Sequence, residues 1–214
     1  MNNTDKIVFA VVAVFTIAIF GFIIFSSLQS STVNLSTSQL KSDSPNIKGN
    51  LEAKVTLVEF SDFQCPACRT FYPFVKDISE KYAQDINVIY RHFPLPSHNR
   101  SVPLARASEA AAMQNKFWEY HDELFDNFEA NTDEDFIRYA EKLGLDIEKF
   151  KQDLNSDAVV KSLNEDLNAG EALEVSGTPT FYLIVKDDVR PVIINQYGDL
   201  EEAVRNATFE AAKP

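Results

Sequence analysis

Apolar residues are distributed very unevenly along the chain. The first apolar run, Ile7 to Phe25, spans 19 residues without a charge. A bilayer core of about 30 Å needs about 20 residues of helix to cross it. A secretory signal has a shorter apolar core, about 7–15 residues, that leads to a small-residue cleavage site. Phe25-Ser26-Ser27-Leu28 offers no such site. Residues 1–28 therefore read as an N-terminal membrane anchor, with a cleaved signal sequence as the alternative. The stretch from Ser26 to Asn46 is rich in Ser, Thr, Asn and Gln. It has too little apolar surface to order itself, so residues 29–46 are expected to be a polar linker. Residues 47–214 are left as the folded domain.

Within that domain the periodicity changes several times. Val55 to Phe60 is a short, nearly apolar run and predicts a buried strand. Phe71, Phe74, Val75, Ile78 and Tyr82 then recur at helical spacing, which predicts a helix over 66–83. Pro66 suits its first turn, and Pro73 falls inside it and should kink it. Ile86 to Tyr90 is a second strand. The stretch from Val102 to Leu173 reads as helical almost throughout. Thr132 with the acids after it marks one helix start, Gly144 a helix end and Asp146 or Ile147 the next start. Thr180 to Val185 and Val192 to Tyr197 are two further strands, joined by the polar 186–191 stretch and expected to be antiparallel neighbours. A last helix covers Asp199 to Ala211. This order, strand–helix–strand, helical block, strand–strand–helix, predicts an α/β fold with a helical insertion at about 97–173.

Charge narrows the choice of partners. The net charge is −12, and residues 1–47 carry two acids (Asp5, Asp43) and two bases (Lys6, Lys41), which cancel. The whole excess of acid thus lies on the domain, and nucleic acid is excluded as a partner because phosphate binding needs a basic face.

There are two cysteines, Cys65 and Cys68. A bridge between residues so close in sequence constrains the unfolded chain little, so the pair points to chemistry. A Cys-x-x-Cys pair opening a helix after a strand lies where free N–H groups and the helix dipole favour a thiolate. Cys65 is expected at the exposed tip as entry nucleophile. Cys68, one turn on, is expected deeper, as the thiol that resolves a mixed disulfide. Zinc needs about four ligands, no second Cys-x-x-Cys exists, and His92, His98 and His121 are dispersed, so no metal is expected. Glu59, inside an apolar strand, is expected under the helix with a raised pKa, exchanging protons with Cys68. Thr178-Pro179, just before a strand, suits a cis bond at a tight turn.

Glu59 to Cys68 resembles the active-site segment of the DsbA-like branch of the thioredoxin superfamily. Thr178-Pro179 resembles that superfamily's cis-proline loop, and Pro73 its helix kink. Arg91-His92-Phe93-Pro94-Leu95, His98 and Gln114-Asn115-Lys116-Phe117-Trp118 resemble DsbA-like sequences with a helical insertion. The resemblance implies a thioredoxin-like fold with a four- or five-stranded mixed sheet. It implies substrate contacts at Pro66, Ala67, Thr178 and Pro179, with no cofactor beyond the redox-active cysteine pair. It implies disulfide exchange with extracytoplasmic substrate proteins, most simply the introduction of disulfide bonds, by a protein held in the cell membrane with its domain facing the periplasm or the extracellular side. It further implies a membrane partner that resets the pair, a quinone-linked oxidase of the DsbB or VKOR type. A monomer is expected. Ala67 stands where many members carry histidine, and Thr178 resembles isomerase-type relatives. A reductase or isomerase is therefore the alternative within the same chemistry, and a chaperone or metal-delivery module the alternative outside it.

Overall fold

The computed structural model describes Leu40, residues 46–196 and residues 198–213. Every one of these belongs to the unit Leu35–Pro214. The apolar run at 7–25 lies outside the described residues, and no described helix is long and apolar enough to cross a membrane.

The elements follow in the order β1 (Ile47–Gly49), β2 (Val55–Ser61), α1 (Pro66–Lys81), β3 (Ile86–His92), α2 (Ser101–Ala112), α3 (Phe117–Asp126), α4 (Asp133–Lys142), α5 (Ile147–Asp153), α6 (Asp157–Ala172), β4 (Thr180–Val185), β5 (Asp188–Val192) and α7 (Gly198–Ala211). The five strands form one mixed sheet in the order β1-β3-β2-β4-β5. β2 and β3 are parallel, as a crossover through α1 requires, and the other pairings are antiparallel.

β2 is buried on both faces, which is why it reads as a continuous apolar run. Alternation still sorts its side chains. Val55 and Leu57 pack with Val75 and Ile78 of α1 and with Leu200, Val204 and Ala207 of α7. Val58 and Phe60 face the opposite layer, with Ala169 of α6, Ile89, Ile184 and Leu40. Glu59 and Ser61 share the parity of Leu57, so they point to the α1 side. The helices α2 to α5 build their own core around Leu104, Tyr120, Phe125, Phe136 and Phe150, and this core runs without a break to Phe63, Cys65, Cys68 and Tyr90.

Local signals account for the helix ends. Thr132 and Asp135 form a reciprocal capping box at α4, and the Asp146 and Ser156 side chains cap α5 and α6. Pro73 falls inside α1, which runs on to Lys81.

Two expectations about strands need correction. The last strand is Asp188–Val192, not Val192–Tyr197. The hairpin is tighter than its polar sequence implies, because Lys186 and Asp187 both adopt positive φ, 49° and 71°, the geometry of a two-residue primed turn. Pro191 is tolerated because β5 is an edge strand. β1 was not expected at all. It pairs antiparallel with β3, and Asn46 just before it is fully buried, its amide hydrogen-bonded to Glu109 on α2.

Candidate active site

The end of β2 and the start of α1 place the cysteines. Asp62 follows β2 and is 2 % exposed. Its carbonyl accepts from the Cys65 N–H at 3.0 Å. Its carboxylate accepts from the Gln64 N–H at 2.8 Å, the Leu95 N–H at 2.9 Å, the Ser101 hydroxyl, and Nδ1 of His98 at 2.7 Å. One carboxylate thus ties the cysteine loop to the segment that enters the helical insertion. Sequence reasoning missed this role of Asp62, because an acid just past a strand end reads as solvent-exposed and its burial comes from contacts with the 95–101 segment.

Cys65 is the N-cap of α1, with Pro66 in the first turn and no acid there to oppose the dipole. Its Sγ donates to the Thr178 carbonyl at 3.3 Å. The Thr178-Pro179 peptide is cis, as expected. Pro66 and Ala67 are exposed at the helix tip, and Thr178 and Pro179 are half-buried opposite them. Cys65 itself is 6 % exposed and Cys68 0 %. The depth order agrees with expectation, but Cys65 is not an exposed tip: the cis-proline loop covers it, and Phe63, Tyr72 and Phe125 belong to the same cluster.

The two thiols differ sharply in acidity. Cys65 is pulled down to about 5, first by the Cys68 S–H, then by the side chain (not the carbonyl) of Thr178 and the free N–H groups of Cys68 and Ala67, against the cost of burial. Cys68 is pushed far up, chiefly by burial, then by Cys65 and by the charge of Glu59. The helix start thus stabilises one thiolate and withholds ionisation from the other.

Glu59 lies under the helix as expected. It is 4 % exposed, and burial raises it to about 7, with Ser61 and the Lys48 ammonium opposing. A neighbouring cleft of about 10 Å³, the room of one water, is lined by Lys48, Glu59, Lys76, Trp118 and His121 among others. Two members of this buried cluster were not foreseen. Ser61 and Tyr90 share the face of Glu59, and Tyr90 is raised well above its ordinary value by burial and by the Glu59 and Cys68 charges. Period-two alternation along β2 and pairing with β3 is the signal that would have found them. His121 is enclosed by the rings of Phe63, Tyr72, Tyr90, Trp118 and Phe125. Burial lowers it to about 4, so it is a neutral core residue at physiological pH.

Comparison with known proteins gives two kinds of match. The family model described as Thioredoxin matches residues 41–191. Among solved structures, a thioredoxin-like oxidoreductase from Silicibacter pomeroyi DSS-3 superposes with a TM-score of 0.70 at 28% identity, over 81% of this chain and 98% of that one. The thiol-disulfide exchange protein alpha-DsbA2 from Wolbachia pipientis superposes with a TM-score of 0.68 at 21% identity, over 82% and 91%. Sequence relatives include the Na(+)/H(+) antiporter NhaA 1 of Mycolicibacterium vanbaalenii, 38% identical over 144 residues. The chain spans only 23% of that protein's length, against 66% of its own. What the two share is a module of a much longer protein.

Proposed function

From the premise that the chain belongs to the thioredoxin family, among its DsbA-like thiol–disulfide oxidoreductases, we propose that it introduces disulfide bonds into polypeptides outside the cytoplasm. The observation that carries the direction is the acidity of Cys65. A couple whose reduced form holds a stable thiolate gives up its disulfide readily, and that makes it an oxidant.

In the reaction, a substrate thiolate attacks Sγ of Cys65 in the Cys65–Cys68 disulfide. The Cys65–Cys68 bond breaks as a mixed disulfide forms, and the electron pair leaves on Cys68. Because Cys68 is a poor anion in its buried position, it needs a proton, and Glu59, with a pKa of about 7, supplies one. A second substrate thiolate then attacks the substrate sulfur of the mixed disulfide. Cys65 leaves as the stabilised thiolate. The two substrate thiolates have lost two electrons to the new disulfide, the cysteine pair has gained two electrons and one proton, and Glu59, left ionised, recovers its proton from water. The Thr178 backbone and the exposed Pro66-Ala67 tip flank Cys65 and supply the contacts that hold the substrate's chain.

The apolar run at 7–25 supports a membrane anchor, with the domain on the periplasmic or extracellular side. Reoxidation then falls to a membrane oxidase of the DsbB or VKOR type. A disulfide reductase or isomerase is the second reading, favoured by Ala67, which offers no side-chain cation to the thiolate, and by Thr178. The reduction potential of the full-length protein in glutathione buffers separates them. A value near about −120 mV is expected, and one near about −270 mV would overturn the oxidase reading.

A further inference from the structure

A buried hydroxyl stands between the two groups that exchange a proton in the reaction above. We propose that Ser61 is a relay residue that carries the Glu59 proton to Sγ of Cys68, an inference that rests on the disulfide-exchange reading with Glu59 as donor.

The strand sets the order of the groups. Glu59 and Ser61 lie two residues apart on β2, so both side chains leave the same face, about 7 Å apart along the strand. That face packs under α1. Ser61 is the last residue of β2, one side-chain step nearer the turn that carries the cysteines. Glu59, Ser61 and Cys68 are all buried, so the proton moves where bulk solvent does not reach.

The contacts separate a relayed transfer from a direct one. Burial is the first cause that raises both Glu59 and Cys68. What Glu59 exerts on Cys68 is charge. The Ser61 hydroxyl opposes burial at each of the two groups by hydrogen bonding. Neither contact has the length and angle of a settled hydrogen bond, because the Ser61 Oγ is buried without a partner of regular geometry. A buried hydroxyl left in that state is rare enough to need a cause. A serine oxygen donates one proton and accepts another, which is what a relay requires, and a hydroxyl held by no fixed partner can turn from one group to the other.

The other ionisable groups nearby have different roles. Tyr90, the β3 register partner of Glu59, is raised well above its ordinary value by burial and by the Glu59 and Cys68 charges, so it stays a phenol. Lys48 of β1, Lys76 of α1 and His121 of α3 line the cleft beside Glu59. Lys76 is paired with Asp122, and burial keeps His121 neutral. The Asp62 carboxylate is held by the 95–101 segment. In the step itself, a substrate thiolate bonds to Cys65 and the Cys65–Cys68 bond breaks, its electron pair staying on Cys68. The Ser61 hydroxyl proton passes to the Cys68 sulfur, and the Glu59 proton passes to the Ser61 oxygen. Ser61 ends as it began, Cys68 is a thiol and Glu59 a carboxylate.

The test is the rate at which glutathione opens the Cys65–Cys68 disulfide of the full-length protein, expressed per glutathione thiolate. In the parent this rate should fall as pH rises through about 7, because Glu59 then has no proton to give. Ser61→Ala should slow the reaction by about tenfold or more below that pH, within what a positioned acid contributes, and should erase the fall. Ser61→Thr, which keeps the hydroxyl, should restore both. S61A combined with E59Q should be no slower than either alone, since both cut one path. An S61A variant that keeps the parent's rate, one that is slower but keeps the pH-dependent fall, or losses that multiply in the double variant would each overturn the relay and leave Glu59 as a direct donor. An E59Q variant as fast as the parent would overturn the relay together with the donor role of Glu59, and a parent disulfide that glutathione does not open would overturn the disulfide-exchange reading itself.

Discussion

Glu59→Gln tests the electrostatics of the site most directly. Burial raises the Glu59 carboxyl from 4.5 to about 7, and each pH unit corresponds to about 1.4 kcal/mol. The folded protein therefore disfavours the ionised form by about 3 kcal/mol relative to the unfolded chain. Between pH 4.5 and about 7 the folded state holds a proton that the unfolded state has released, so this contribution to stability falls as pH rises through that window and is level above it. Glutamine has nearly the same shape and no charge to lose. E59Q should match the parent at pH 4.5 and exceed it by up to about 3 kcal/mol at pH 8, a rise of about 6–12 °C in Tm for a domain of this size. Thermal melts of both proteins in the dithiol form, followed by circular dichroism at the two pH values, check it. The same variant should slow formation of product disulfide at pH 7, because Cys68 then leaves without its proton donor. A Tm difference that does not change with pH, or a variant less stable than the parent at pH 8, would refute the reasoning.

Two further outcomes follow from the same contacts. The Cys68 S–H is the largest support of the Cys65 thiolate, so Cys68→Ala should move the pH midpoint of iodoacetamide alkylation at Cys65 upward from about 5; an unmoved midpoint would assign the stabilisation to the helix start alone. Arg91 and Asp166 form an ion pair at 2.6 Å with side chains 1% and 2% exposed, and Asp166 also accepts from the His92 N–H at 2.8 Å. Asp166→Ala leaves a buried guanidinium and should lower stability in urea by about 3–5 kcal/mol; a loss below about 1 kcal/mol would show that the remaining contacts of Arg91, such as the Leu40 carbonyl at 2.7 Å, suffice.

What could be read from sequence divides along a physical line. Buried elements were legible because their pattern is dictated by the core: β2, β3 and β4 are apolar runs, and the helices of the insertion carry caps such as Thr132 and Asp146. β5 was misplaced because an edge strand buries little and so carries little pattern, and because a Lys-Asp turn at positive φ has no glycine or asparagine to announce it. β1 is three residues long, too short for any period. Leu40, fully buried against β2 and β4 side chains, sits in a stretch read as linker; one leucine among Ser, Thr and Gln gives no periodic signal. In the site, residue types identified Cys65, Cys68, Glu59, Thr178 and Pro179. Ser61, Asp62 and Tyr90 were missed because their roles come from facing across strands and loops.

The cover over Cys65 follows from the same layout. Two thiols three residues apart would titrate alike in water. Here the strand-to-helix turn sets Cys65 against free N–H groups, while the first turn of α1 carries Cys68 into the apolar junction between sheet and insertion. A buried acid on β2 then raises Cys68 further. The insertion is part of this arrangement, because Phe63, Tyr72 and Phe125 close the junction and Asp62 anchors the cysteine loop to its entrance. Separation of the two pKa values is therefore a property of the joined sheet, helix α1 and insertion, and a change in the packing of the insertion should be felt at Cys68 before it is felt at Cys65.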